Sequence, residues 1–245
     1  YHAEIAAYLN EITNTTFPPH ISVVLEKVTD LPHGENPHQR AAFYRETTHR
    51  DGTLADATQI QGRSPSFNDL LDLDAAWRIA ADFTAPTAVI VRHTDPVGIA
   101  SHAALATAFL HALEADPAAA FGSIVGLNRP VDEVTAGAIM EGSFEAVVAP
   151  DYAAEALRVL ARRPDLEVLR VPPNPADGLR DYGIAALDFK RVGGGLLVET
   201  LDATALDRDQ LRVVTQRRPT LEELTDLMFA WRAAAHVRSN AIVLA

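Results

Sequence analysis

The chain has 245 residues, 48% of them hydrophobic and 22% charged, with a formal net charge of -12 and no cysteine. That length allows one large domain or two small ones with a sizeable core, and the composition is that of a soluble globular protein. The acidic balance argues against nucleic-acid binding, because a negative surface repels phosphate backbones. The missing cysteine excludes disulfides, zinc-thiolate sites and thiol nucleophiles. A small anionic ligand stays compatible with the charge, since a local cluster of cations can outvote the global field.

Residues 1–12 place Ile5, Tyr8, Leu9 and Ile12 on one helical face and carry no basic leader, so they predict an amphipathic helix rather than a signal peptide. No apolar run approaches the roughly 20 residues that span a bilayer. The expectation is a soluble, cytoplasmic protein with no membrane partner. The sequence lacks an initiating methionine, which reads as a fragment, a processed chain or a trimmed one.

"HISVVLEKV" (20–28) reads as a strand, "LPHGENPHQR" (31–40) as an irregular loop, and "AAFYRE" as a short strand. Within 64–83 the pattern predicts a strong helix capped by Ser66, with Asp69 three residues on. A regular rhythm follows: strand 87–92, helix 101–115, strand 121–128, helix 131–141, strand 145–150, helix 152–162, strand 166–171. Apolar strands alternating with helices predict an α/β fold with a mixed, mostly parallel sheet covered on both faces. Residues 172–183, with three prolines, read as a connector. "RVGGGLLVET" (191–200) predicts a strand with a glycine bulge or close approach. A helix over 220–235, capped by Thr220 with Glu223 at its third position, leads to an expected final strand, "NAIVLA". A sheet strand at a C-terminus usually needs something after it, so this end reads as a truncation point.

The stretch "VIVRHTDPVGIA" (89–100) ends a core strand in a cation, an imidazole and a carboxylate, Arg92, His93 and Asp95. Pro96 and Gly98 predict an end to regular structure there. Ligands of open α/β sheets bind beyond strand ends, which makes this cluster a candidate site. Asn240 beside Arg238, Gly122 opening a strand, and the loop with His33, Gly34, Asn36 and His38 are further candidates. Each has a plainer reading: a hydrogen-bonded structural histidine, a turn held by asparagine and proline, a solvated arginine. Metal catalysis is disfavoured, because His33 and His38 lack a ligand spacing and Pro37 prevents a helical ligand face. No G-x-S-x-G elbow supports a serine hydrolase.

"HGENPHQRAAFY", "RHTDPVGIA", "FGSIVGLNRPV", "FEAVVAPDY" and "VRSNAIVLA" occur in this order and resemble the AICAR transformylase domain of the bifunctional AICAR transformylase/IMP cyclohydrolase family of purine biosynthesis. The resemblance covers nearly the whole chain. It implies a cytidine-deaminase-like three-layer sandwich, with 1–245 as the first part of the transformylase. The cyclohydrolase domain would come before it and the second half of the transformylase after it. It further implies a homodimer that passes a formyl group from 10-formyltetrahydrofolate, as co-substrate, to the 5-amino group of AICAR. By the same match His93 is the general base, Arg92 the electrostatic partner and Asn240 an orienting group. The resemblance places His33, Gly34, Asn36, Gly122, Glu145 and Arg238 among the substrate-binding positions.

Three positions depart from the pattern. The family's loop usually begins Arg-Tyr-Gly, the arginine holding the nucleotide phosphate, and here it reads Pro32-His33-Gly34. The usual Lys-His pair is Arg92-His93, and the usual Asn-Pro is Asp95-Pro96. Three readings therefore stay open: formyl transfer to AICAR, a diverged paralogue formylating a related aminoimidazole, and a non-catalytic nucleotide-binding homologue.

Overall fold

The computed structural model describes residues 16–47, 52–172, 187–201, 208–238 and 240–245. The helix expected at 1–12 and nearly all of the connector expected at 172–183 lie outside the described residues. Strands β1 (Leu25–Leu31) and β2 (Ala41–Glu46) form an antiparallel hairpin. The body then runs β3 (Thr58–Gln61), α1 (Phe67–Ala81), β4 (Thr87–Arg92), β5 (Asp95–Ser101), α2 (Leu105–Ala115), β6 (Ser123–Leu127), α3 (Glu133–Glu141), β7 (Phe144–Ala149), α4 (Ala154–Leu160) and β8 (Glu167–Arg170). A second hairpin, β9 (Leu187–Val192) and β10 (Gly195–Thr200), precedes helix α5 (Leu221–Ala234). No helix among the described residues is long and apolar enough to cross a membrane.

The central sheet has six strands in the order β3-β8-β7-β6-β4-β5. Successive side chains of a strand point to opposite faces, and the two core clusters divide the strand residues by this period. Ala88, Ile90, Val125, Leu127, Val147, Ala149 and Val168 pack under α2, α3 and α4. Val89, Val91, Ile124, Ala146, Val148 and Leu169 pack under α1, against Leu73, Ala76, Trp77 and Ala80. The result is a three-layer α/β sandwich, and it explains the uninterrupted apolar runs Ala88–Val91 and Ala146–Ala149 in these strands. Gly126 and Gly98 let helices sit directly on the sheet. A Cβ on Gly126 would strike the carbonyl of Ala76 in α1, and one on Gly98 would strike that of Ala112 in α2.

The sheet is mixed, but its parallel part is smaller than the alternating pattern suggests. Only β6–β7 and β7–β8 pair in parallel, while β3–β8, β4–β6 and β4–β5 are antiparallel. The cause is a strand that the sequence reading replaced with irregular structure. Residues 95–101 turn straight back on β4 instead of leading into a helix. Pro96 does not prevent this, because β5 is an edge strand and the register shifts between Ile90 and Val91, opposite the proline.

Two further expectations change. The "GGG" segment is the turn of the β9–β10 hairpin, with Val192 opposite Gly195 and Gly194 at φ 81, rather than a bulged single strand. Two-residue hairpin loops demand positive φ, which this Gly-Gly pair accommodates. Residues 240–245 form no strand. Ile242 and Leu244 stay 91% and 92% exposed, and no described sheet edge pairs with them. β-Propensity expresses itself only against a partner edge.

Both expected caps are present and reciprocal. Ser66 Oγ accepts from the Asp69 amide at 3.2 Å, and the Asp69 carboxylate accepts from the Ser66 amide at 2.7 Å. Thr220 and Glu223 repeat the arrangement on α5. Such a cap is worth about 1 kcal/mol. Helix α5 fastens to the end of α1: the Phe229 ring lies 5.1 Å from that of Phe83, the Arg232 guanidinium stands over Phe83 at 5.5 Å, and His236 Nε2 is 3.2 Å from the Asp82 carboxylate.

Candidate active site

Six strand ends and one helix end meet along a single margin of the sheet. β4 runs antiparallel to β6, so its C-terminus arrives beside the N-terminus of β6, with Val91 opposite Ile124. β7 and β8 are parallel to β6 and begin at the same margin. β3 is antiparallel to β8 and ends there, and its chain turns through Gly62 and Arg63 into the cap of α1. Neighbouring strands are about 4.8 Å apart, so the ends of β4 and β7, which flank β6, lie roughly 10 Å from each other.

His93 occupies the tightest point of this margin. Arg92 pairs with Asp95, leaving His93 and Thr94 as a two-residue loop. Their φ angles are 55° and 65°, the left-handed pair that a type I′ turn requires. Glycine or asparagine normally fills such positions. A side chain there costs about 1–2 kcal/mol per residue, and threonine, being β-branched, is especially unfavoured. Asp72 in α1 offsets this cost. Its Oδ2 accepts the His93 amide at 2.9 Å and its Oδ1 the Thr94 amide at 2.6 Å. Thr94 Oγ1 donates to the His93 carbonyl at 2.7 Å and accepts from Arg238 Nη2 at 2.5 Å. The backbone is thereby pinned while the imidazole of His93 stays exposed. The Arg92 side chain, also exposed, reaches the Ala119 carbonyl at 3.4 Å.

Gly122 and Glu145 adjoin one another. The Gly122 amide donates to the Ser143 carbonyl at 2.8 Å, and a Cβ on Gly122 would stand 3.6 Å from Glu145 Oε1. Glu145 belongs to a charged cluster around Arg63. The guanidinium contacts Glu145 at 3.0 Å, Glu167 at 3.1 Å and Asp69 at 3.4 Å. An open cleft of about 310 Å³ is lined here by Arg63, Phe144, Glu145 and Asp165. Glu167 is fully enclosed at the start of β8. Burial pushes its carboxyl up to about 8, the Asp69 carboxylate adds to the rise, and Arg63 opposes it. Burial thus favours the neutral form of Glu167, against the pull of the neighbouring Arg63 guanidinium.

The loop 32–40 closes on itself. His33 Nδ1 donates to the Gly34 carbonyl at 2.7 Å, the Gly34 amide to the Gln39 carbonyl at 3.0 Å, and the Asn36 amide to Gln39 Oε1 at 2.7 Å. Asn68 Nδ2 reaches the Glu35 carbonyl at 3.4 Å and ties the loop to α1. Asn68 and Asp72 are four residues apart on that helix, about one turn. The loop and the His93 turn are thus anchored to one helical face. Asn240 is exposed in the segment after α5, two residues beyond Arg238.

The structure brings His93, Arg92 and Arg238 together at one turn and Gly122 with Glu145 beside it. His33, Gly34 and Asn36 stand in the α1-anchored loop. Sequence reasoning missed Asp72, Thr94, Arg63, Asp69 and Glu167 as members of this margin. Glu167 did leave a trace, as the one carboxylate within the apolar run "LEVL". Asp72 left none, because it reads as another polar position on a helix.

Along one margin of a three-layer α/β sandwich stand an exposed imidazole, the guanidinium groups of Arg92 and Arg238, and a cleft lined by Arg63, Phe144, Glu145 and Asp165. The chain belongs to the family described as the AICARFT/IMPCHase bienzyme, whose model matches residues 1–245, the whole sequence. This is a family of purine-biosynthesis enzymes.

Proposed function

We propose that this protein transfers the formyl group of 10-formyltetrahydrofolate to the 5-amino group of AICAR. Family membership supports the reaction class, and the observation that carries it to residues is the exposed His93 imidazole on a pinned left-handed turn next to Arg92. The AICAR amine is conjugated to its imidazole and carboxamide and is a poor nucleophile. It attacks the formyl carbon as His93 removes its proton, forming the new C–N bond and a tetrahedral oxyanion. Arg92 stabilises that oxyanion. The intermediate collapses by breaking the bond to N10 of the folate, which leaves with a proton returned by the imidazolium. Asn240 orients substrate and base, and Gly122 and Glu145 contact the nucleotide.

A homodimer sharing this site is part of the reading. The test is direct: 10-formyltetrahydrofolate and AICAR are incubated with the protein, and formyl-AICAR is followed by chromatography. Turnover that disappears in His93→Ala supports the proposal, and no transfer by the wild type ends it.

A second reading, a paralogue acting on a related amine without the phosphate, draws on Pro32. Proline has neither charge nor donor where the family places its phosphate-binding arginine, so a charge-assisted contact is missing.

A further inference from the structure

His93 and Thr94 are the only non-glycine residues with positive φ among the described residues, and they are adjacent. Strain of this kind persists only where the surroundings over-determine it, and it gathers at functional sites. The over-determining group here is one side chain. Asp72 projects from α1 and spends one carboxylate oxygen on each turn amide, at 2.9 and 2.6 Å. Hydrogen bonds to a carboxylate are shorter and about twice as strong as neutral ones. Any other turn geometry for a His-Thr pair would redirect at least one of these amides and forfeit that bond.

We propose that Asp72 is the positioning residue of the site: its carboxylate fixes the His93–Thr94 turn in its left-handed form and thereby sets where the imidazole stands at the sheet margin. The role of the imidazole itself rests on the formyl-transfer reading. Asp72 acts only through the backbone and touches no reacting atom. Its place on α1 gives the device a rigid base, because the same helix is seated on Gly126 of β6 and holds the 32–40 loop one turn earlier through Asn68. A base must lie within hydrogen-bond reach of the proton it removes, and a misplacement of about 1 Å can cost a hundredfold in rate.

The experiment compares the wild type with Asp72→Asn, Asp72→Ala and the double variant Asp72→Ala/Thr94→Gly. Asparagine keeps the shape but offers one acceptor oxygen, and its amide group faces an N–H. The expected result is a kcat reduced about 10- to 100-fold in both single variants, with KM for AICAR unchanged within about twofold. Glycine at 94 adopts positive φ without help, so the double variant should recover much of the lost kcat. In ¹⁵N-labelled protein, the His93 and Thr94 amide protons should resonate downfield and exchange slowly in the wild type, and should lose both properties in Asp72→Ala. A merely structural Asp72 would lower the melting temperature and leave kcat per folded molecule unchanged, which overturns the proposal. A wild type without transfer activity would remove the formyl-transfer reading by itself. Positioning is then decided by the amides and the His93 ring signals: their disturbance in Asp72→Ala supports it, and unchanged signals overturn it.

Discussion

Arg238 donates from Nη2 to Oγ1 of Thr94 at 2.5 Å, joining the segment after α5 to the turn that carries His93 across 144 residues of sequence. The contact depends on α5 being clamped to the end of α1 through Phe83, Phe229 and Arg232. Arg238→Ala should therefore loosen the turn and lower kcat about three- to tenfold, the scale of one exposed charge-assisted hydrogen bond. Arg238→Lys should retain more activity than alanine. Steady-state kinetics on the three proteins checks this, and a changed KM with unchanged kcat would assign Arg238 to substrate instead.

His93→Ala should cost on the order of a hundred- to ten-thousand-fold in formyl transfer while leaving AICAR binding nearly intact. Arg92→Lys should be tolerated, because it keeps the cation beside the developing oxyanion, whereas Arg92→Ala should be poor. Activity per folded molecule, set beside calorimetric binding of AICAR, separates these effects from misfolding.

The nucleotide and its nucleoside should be bound in parallel. If Pro32 reflects a changed specificity, AICAR should lose most of its advantage over the non-phosphorylated compound. A strong preference for the nucleotide would show that another cation of this margin serves the phosphate, with Arg238 and Arg40 the first to substitute by alanine.

Glu167 should leave a signature in stability against pH. Burial, with the Asp69 carboxylate beside it, pushes its carboxyl up to about 8 from the ordinary 4.5. Between these values the folded state binds more protons, so this group makes stability fall as pH rises from about 5 through 8. Glu167→Gln removes the ionisation. Denaturant titrations from pH 5 to 9 should show a flatter slope for the variant and a relative gain at the alkaline end. Parallel slopes would rule out the buried carboxyl as their source.

Leu227 and Trp231, four residues apart on α5, are both 57% exposed, and Leu196 and Leu197 of β10 are exposed as well. Exposed apolar area of this kind marks association. Sedimentation velocity at micromolar concentration should give a dimer, and Trp231→Glu should shift the population toward monomer. A monodisperse wild-type monomer would remove the shared-site part of the reading.

Local signals were legible without the structure. The reciprocal caps at Ser66–Asp69 and Thr220–Glu223 depend on residues three apart, and the buried strands announce themselves by uninterrupted apolar runs. His93, Arg92, Gly122 and Glu145 could be named because motifs carry them, and the loop 32–40 because its glycine, asparagine and prolines forbid regular structure. The β4–β5 hairpin was not legible. Proline and glycine read as breakers until the edge position of β5 and the close seat of α2 are known.

What the sequence by itself determined was therefore the α/β class, the capped starts of α1 and α5, most of the core strands and the polar residues at their margins. These rest on short-range periodicity and on the chemistry of neighbours in the chain. Only the tertiary structure decided that Arg63 serves Asp69, Glu145 and Glu167 together, and that Asp72 holds the backbone of His93. Those groups are brought together by strand order and by the packing of α1 on the sheet. Strand order is a property of which edges find each other, and no local pattern encodes it.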